Sequence, residues 1–205
     1  MFENKKILIV GAHPDDIEFG MGGTLSKIKY DVENNNVKVV IFSDTVNING
    51  DKILDEVKNS LEVYRQGFAL YKDIITMSFF KSEDVIKQRL YDIKKEFQPE
   101  IIFCTNPKSA NSDHSVLAKC VQNVFQEQTI ISYELMRGDY DFVPNFYVKL
   151  DKSDVDNKLH SLLCYKSQQK RVYSASNLVN AHLMFRGGQI GSEYAEGFMV
   201  DRLVW

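Results

Sequence analysis

The chain reads as an α/β protein, a three-layer sandwich in which helices cover both faces of a mostly parallel sheet. Three observations predict this. Apolar runs of strand length at Ile7–Val10, Val37–Phe42, Ile74–Phe80 and Ile101–Cys104 alternate with segments whose apolar residues return every three or four positions. The runs are apolar on consecutive residues, the pattern of strands buried on both sides. A length of 205 residues, 44% of them apolar and 26% charged, suits one packed domain spanning residues 1–205.

The elements follow in order. The first run lies between Lys5-Lys6 and His13-Pro14, too short for a membrane span and right for a buried strand, and Gly11 lets the backbone turn at its end. Gly20, Gly22 and Gly23 fall in or near the start of the segment that follows, and Asn34-Asn35-Asn36 supplies a turn before the second run. Ile53, Val57, Leu61 and Tyr64 form one helical stripe; Ile86, Leu90, Ile93 and Phe97 form a second, closed by Pro99. Val116/Leu117, Cys120/Val121 and Val124 form a third. Beyond residue 128 the pattern predicts strands at Thr129–Glu134, Phe146–Leu150 and Phe198–Leu203 and a helix over Val155–Tyr165, with no internal repeat.

Composition narrows the function. A formal net charge of −3, with both signs mixed along the chain, leaves no electrostatic footprint for nucleic acid or an anionic membrane, so a small-molecule partner is expected. No run is long enough for a membrane span, and the first residues lead straight into the first strand without a cleavable leader, which predicts a cytoplasmic protein. Cys104, Cys120 and Cys164 are isolated and odd in number, as reduced thiols are, and none has zinc-pair spacing. The sequence is compatible with a homo-oligomer and does not specify one.

Chemistry concentrates at the tip of the first strand. His13 and Asp16 stand three residues apart, close enough in a turn that opens a helix for an imidazole nitrogen and a carboxylate oxygen to meet one cation. Asp15-x-x-Glu18 is equally the pattern of an N-cap with its reciprocal glutamate, and this segment alone leaves both readings open. In open parallel sheets ligands bind beyond the carboxyl ends of the strands. The loop after the fourth run brings Asp113-His114 to that same edge, so His114 is the candidate third ligand.

These residues resemble the LmbE-like or PIG-L family of zinc-dependent enzymes that remove the acetyl group from N-acetylated sugars. Ala12-His13-Pro14-Asp15-Asp16-x-Glu18 matches the family's opening signature, and Asn111-Ser112-Asp113-His114 resembles its second. Tyr133-Glu134, Pro144-Asn145, Lys166-Ser167-Gln168, Arg186-Gly187 and Tyr194-Ala195-Glu196-Gly197-Phe198 are further echoes. The resemblance implies a Rossmann-like fold and a metal held by His13, Asp16 and His114, with Asp15 as general base and Asp113 supporting the shell. It implies Zn²⁺, although a His₂Asp donor set also accepts Fe²⁺, Co²⁺ or Mn²⁺. The substrate it implies carries an N-acetylhexosamine, as free sugar, nucleotide sugar or glycolipid.

The chain departs from the family pattern in places. Ser109 stands where many members have an acidic residue and Asn111 where some have a histidine that helps protonate the transition state; Asn111 can donate a hydrogen bond but not a proton. Asp55 and Lys58 replace an Arg and a Glu often seen on that helix. Glu134 and Asn145 are candidates for substrate hydroxyls, Arg186 for a phosphate on the sugar carrier, and His182 for a replacement acid. Three rivals compete: a hydrolase of another small amide or thiol conjugate, a metal- or sugar-binding protein with weak chemistry, and a nucleotide-binding module. The last lacks the G-x-G-x-x-G cradle.

Overall fold

The structure, a computed structural model, describes residues 2, 4–28, 36–43, 50–65, 67–70, 78–167 and 175–204. Its elements run β1 (Ile7–Gly11), α1 (Asp16–Lys27), β2 (Val37–Ile41), α2 (Gly50–Glu62), β3 (Phe68–Leu70), α3 (Glu83–Phe97), β4 (Ile101–Cys104) and α4 (Ser112–Val124). They continue β5 (Thr129–Tyr133), β6 (Phe146–Leu150), α5 (Lys152–Leu163), α6 (Ser176–Gly188) and β7 (Tyr194–Arg202). One seven-stranded sheet has the order β3-β2-β1-β4-β5-β7-β6. The first five strands pair in parallel, and β7 runs antiparallel to both of its neighbours.

The two faces of the sheet carry separate cores, as alternation along each buried strand requires. Ile7, Ile9, Ile131 and Tyr133 face α1 and the Ile53/Val57/Leu61/Tyr64 stripe of α2. Leu8, Val10, Ile102 and Ile130 face the stripes of α3 and α4. The chain builds outward from β1 in one direction through β2 and β3, then crosses to lay β4 and β5 on its other side. The order therefore reverses between β1 and β4, and such a reversal opens a crevice at the carboxyl ends of the strands.

Three details differ from the expected pattern. The third strand is Phe68–Leu70, not Ile74–Phe80; residues 74–77 lie outside the described ones, and Phe79–Lys81 form a 3₁₀ turn. Phe79 is buried there while Phe80 is exposed, so an apolar pair that reads as strand is the entry turn of α3. α6 was not foreshadowed by periodicity, because Leu178, Met184 and Phe185 face outward while Val179 and Leu183 face inward. β7 begins four residues before the expected Phe198, the buried Glu196 having masked its pattern. Among the described residues no helix is long and apolar enough to cross a membrane.

Candidate metal centre

β1 ends at Gly11, and the next four residues turn the chain into α1. The turn is closed by Asp16, whose Oδ2 accepts the backbone N–H of Ala12 at 3.0 Å and of His13 at 2.9 Å. Asp15 precedes α1 in the left-handed region, φ 84°, a conformation that Asp tolerates better than most residues but at some cost. It makes no side-chain cap, and Glu18 does not reach back toward it. Glu18 is instead buried, accepting from Ser60 Oγ at 2.6 Å and Tyr165 OH at 2.9 Å, and burial pushes its pKa up. The capping reading of Asp15-x-x-Glu18 is therefore not what the turn does.

The second arm comes from β4. Asn111 caps α4 by accepting the Asp113 N–H at 3.0 Å, and Thr105 Oγ donates to the His114 carbonyl at 2.8 Å. That pins the first turn of α4 against the end of β4. His13 Nδ1 and His114 Nε2 then lie 3.2 Å apart. Asp16 Oδ2 is 3.5 Å from His13 Nδ1, and its Oδ1 is 3.3 Å from His114 Nε2. Two ligand bonds of about 2.0–2.1 Å at a tetrahedral angle subtend roughly 3.3–3.4 Å, so the three edges have the size of one face of a four-coordinate site.

The surrounding groups fit the same purpose. A carboxylate only accepts, so the 2.9 Å contact between His13 Nε2 and Asp113 makes Nε2 the protonated nitrogen and turns the Nδ1 lone pair toward the cluster whenever the ring is neutral. Burial disfavours the charged His13, but hydrogen bonds to Asp113 and Asp16 prevail and raise its pKa to about 10. Burial likewise works against the charged Asp16, yet His114 and His13 hold its carboxyl well below the ordinary range. Bringing in a cation must displace the His13 proton, so binding releases protons. His13, Asp16 and His114, all buried and with ligand atoms within 4.8 Å of one another, form a cluster whose donor set fits a divalent metal.

A family model described as "PIG-L: GlcNAc-PI de-N-acetylase" matches residues 8–125, more than half of the chain and all of the cluster. The chain belongs to the PIG-L family. Solved structures share the PIG-L fold throughout. A conserved protein from Thermus thermophilus superposes with a TM-score of 0.77 at 18% identity, over 98% of this chain and 96% of that one. An N,N'-diacetylchitobiose deacetylase from Pyrococcus horikoshii gives 0.75 at 21% identity, over 97% and 85%. GalB, the 4-carboxy-2-hydroxymuconate hydratase from Pseudomonas putida, gives 0.77 at 16% identity, over 98% and 98%. A deacetylase and a hydratase share this fold, so the fold alone does not set the chemistry.

The remaining candidates of the PIG-L pattern fall into two groups. Glu134 leaves the end of β5; Arg186 grips it through Nε at 2.8 Å and Nη2 at 2.5 Å, while His182 Nε2 lies 3.1 Å from the same carboxylate. Burial opposes ionisation of Glu134, but His182 and Arg186 outweigh it and hold the pKa down. Ile9, Phe103 and Ile131 share one register level, which places Glu134 level with Ala12, two strands and roughly 10 Å away along the sheet edge. Asn145 is different: its Oδ1 accepts the Val200 N–H at 2.7 Å, so it ties the start of β6 to β7. Asp55, Lys58 and His160 are exposed on their helices. Sequence reasoning missed Asp139, buried beside the second arm and accepting the Leu135 N–H at 2.8 Å; burial raises its pKa while His114 opposes that. In Asp139-Tyr140-Asp141 nothing distinguishes it from a solvent-facing loop residue.

Proposed function

We propose that this PIG-L member is a cytoplasmic, zinc-dependent N-deacetylase that removes the acetyl group from an N-acetylhexosamine unit of a sugar, nucleotide sugar or glycolipid. One observation carries the reading: His13, Asp16 and His114 converge from two loops at the reversal point of the sheet, with Asp15 adjoining a ligand. Two neutral imidazoles and one carboxylate leave a divalent ion a net charge of about +1 and room for a further ligand, the pattern of catalytic zinc sites. The family description names an N-acetylglucosaminyl lipid, which supports the sugar class. The same donor set accepts Fe²⁺, Co²⁺ or Mn²⁺. Three unpaired cysteines support a reducing compartment.

When bound, zinc lowers the pKa of a coordinated water to about 7 and polarises a carbonyl. The chain's own residues do the rest. Asp15, a carboxylate held next to Asp16 in a strained turn, accepts the proton of the attacking water and returns it to the leaving amine. That shuttle makes a histidine at position 111 dispensable. Asp113 fixes the His13 tautomer. Asn111 has committed its Oδ1 to the helix cap, and its amide NH₂ serves as a donor to the developing oxyanion. Glu134, oriented by Arg186 and His182, receives sugar hydroxyls one subsite away. Arg186 donates through Nε, Nη1 and Nη2 within this cluster, which favours orienting Glu134 over clamping a phosphate.

The test is acetate release from a panel of N-acetylated sugars, free, nucleotide-linked and lipid-linked, with metal-stripped and Asp15→Asn protein beside the loaded wild type. Acetate from the loaded wild type alone supports the mechanism. Turnover by the stripped protein would refute the metal, and turnover by Asp15→Asn would refute the base.

A further inference from the structure

α1 is not one helix. Met21 has φ −147° and ψ 24°, outside the helical region, so the element consists of a short turn bearing Asp16 and a second segment that restarts near Gly22. An unbroken helix would bond the Gly23 N–H to the Phe19 carbonyl. Here the Phe19 carbonyl accepts from Lys158 Nζ at 2.6 Å, and the Gly23 N–H donates to Glu196 Oε1 at 2.9 Å. Lys158 Nζ and Glu196 Oε1 meet at 2.7 Å, and Glu196 Oε2 takes the next donor, Thr24 N, at 2.6 Å. A buried ion pair from α5 and β7 is thus spliced into the break, its cation on the carbonyl end of the first segment and its anion on the amide end of the second.

Two of the three clustered glycines lie at the splice, while Gly20 makes room for the Tyr133 ring. A Cβ on Gly22 would lie 2.7 Å from Tyr64 OH and 3.1 Å from Lys158 Cγ; one on Gly23 would lie 2.4 Å from Leu150 Cδ1 and 3.3 Å from Glu196 Cδ. Tyr64 and Leu150 leave no room for a side chain at either position, and Lys158 and Glu196 pack close beside them. Lys158 and Glu196 are 2% and 3% exposed, a costly place for charges whose only task is stability, since a matched apolar pair often serves as well. What an apolar pair cannot do is hold the two broken ends.

We infer that Lys158 and Glu196 are positioning residues for the metal centre. The splice lets the turn carrying Asp15 and Asp16 take its own direction, independent of the rest of α1, and locks it there. Phe19 lies three residues past Asp16, a rise of about 4.5 Å, so a shift at the splice is delivered to the ligand within one turn. From the other side Ser60 and Tyr165 hold Glu18. The short turn is therefore clamped by α2, by Lys158 of α5 and by Tyr165 just beyond that helix, with β7 acting through Lys158. This inference rests on the metal reading above.

The experiment compares wild type, the double variant Lys158→Met/Glu196→Leu and the conservative Glu196→Gln, each as the full chain. Three quantities are read: Zn²⁺ affinity by chelator competition, the visible spectrum of the Co²⁺-loaded protein, and amide exchange of Ala12 and His13 in the metal-free state. Those two amides hold the Asp16 carboxylate. The double variant leaves the Gly23 and Thr24 amides and the Phe19 carbonyl without partners, so it should lower the thermal midpoint, bind metal roughly 10–100-fold more weakly, alter the cobalt spectrum and exchange both amides faster. Glu196→Gln keeps one carbonyl acceptor and sets an NH₂ against the other amide, and should fall between. Folded variants with unchanged affinity, spectrum and exchange overturn the inference while leaving the metal reading intact. If the double variant does not fold, Glu196→Gln decides by the same readouts. Wild type that binds no metal overturns both.

Discussion

The corner where β1 meets α1 and the C-terminal segment from β6 to β7 both bury charged groups, and they treat them in opposite ways. In the C-terminal segment the charges are matched at source: Lys158 with Glu196, and Arg186 with the Glu134 at the end of β5. At the corner two imidazole nitrogens and a carboxylate point at one another within 3.2–3.5 Å, and the buried His114 Nδ1 has no hydrogen-bond partner among the described residues. There a proton on His13 takes the place among three ligating groups that a cation would fill. The contrast separates groups gathered as a candidate metal site from groups paired to hold the fold.

The largest effect that would break this contrast is on turnover. Asp15→Asn should lower kcat by about 10²–10⁴, the range of general acid–base contributions, with metal content and thermal midpoint close to wild type. His114→Ala should remove both turnover and metal. If the two variants behaved alike, Asp15 would belong to the metal shell and not to the proton chemistry; a combined acetate assay and metal analysis distinguishes them.

The corner was legible in the sequence because its logic is local. A buried strand that ends in His-Pro-Asp-Asp must place those side chains at the sheet's carboxyl edge, and a second strand ending ten residues before His114 places that ring at the same edge. The stripes of α2, α3 and α4 were legible for the same reason. The splice was not. Lys158 and Glu196 are 38 residues apart; Lys158 reads as a surface charge, and Glu196, although part of the C-terminal family echo, gives no sign of its partner until α5 and β7 are packed on α1. The cap at Asp15-x-x-Glu18 failed likewise, since a local motif lost Glu18 to the distant Ser60 and Tyr165. α6 was invisible because its apolar residues lie on opposite faces, leaving no stripe to detect.

The next effect tests the matched region. Lys158→Met alone strands the Glu196 carboxylate without its cation, and removing one partner of a buried pair costs about 3–5 kcal/mol. Urea unfolding should show a loss of that size. A single variant as stable as wild type would mean that water reaches Glu196 and that the region is not dry. Below this in size comes the metal itself: at a free concentration about 100 times Kd it should stabilise by roughly 2.7 kcal/mol, an increment absent from His114→Ala. That increment should also shrink as pH falls, because His13 must release a proton held with a pKa of about 10.

The smallest effect concerns Glu134, which sits between the two regions. Its pKa is held below the ordinary 4.5 because His182 and Arg186 outweigh the burial that opposes its charge. The ionised form is favoured in the folded chain, so its contribution is complete above pH 4.5 and is lost as pH falls through the lowered value. Glu134→Gln removes that contribution at every pH. The stability gap between wild type and variant should therefore be widest near neutrality and close in acid, read as urea midpoints across a pH series. A gap that stays constant into acid would assign the Glu134 contribution to packing alone. One that widens in acid would reverse the sign and show that the carboxyl is protonated in the folded chain, in which case it meets a sugar hydroxyl as a donor and not as the acceptor proposed above.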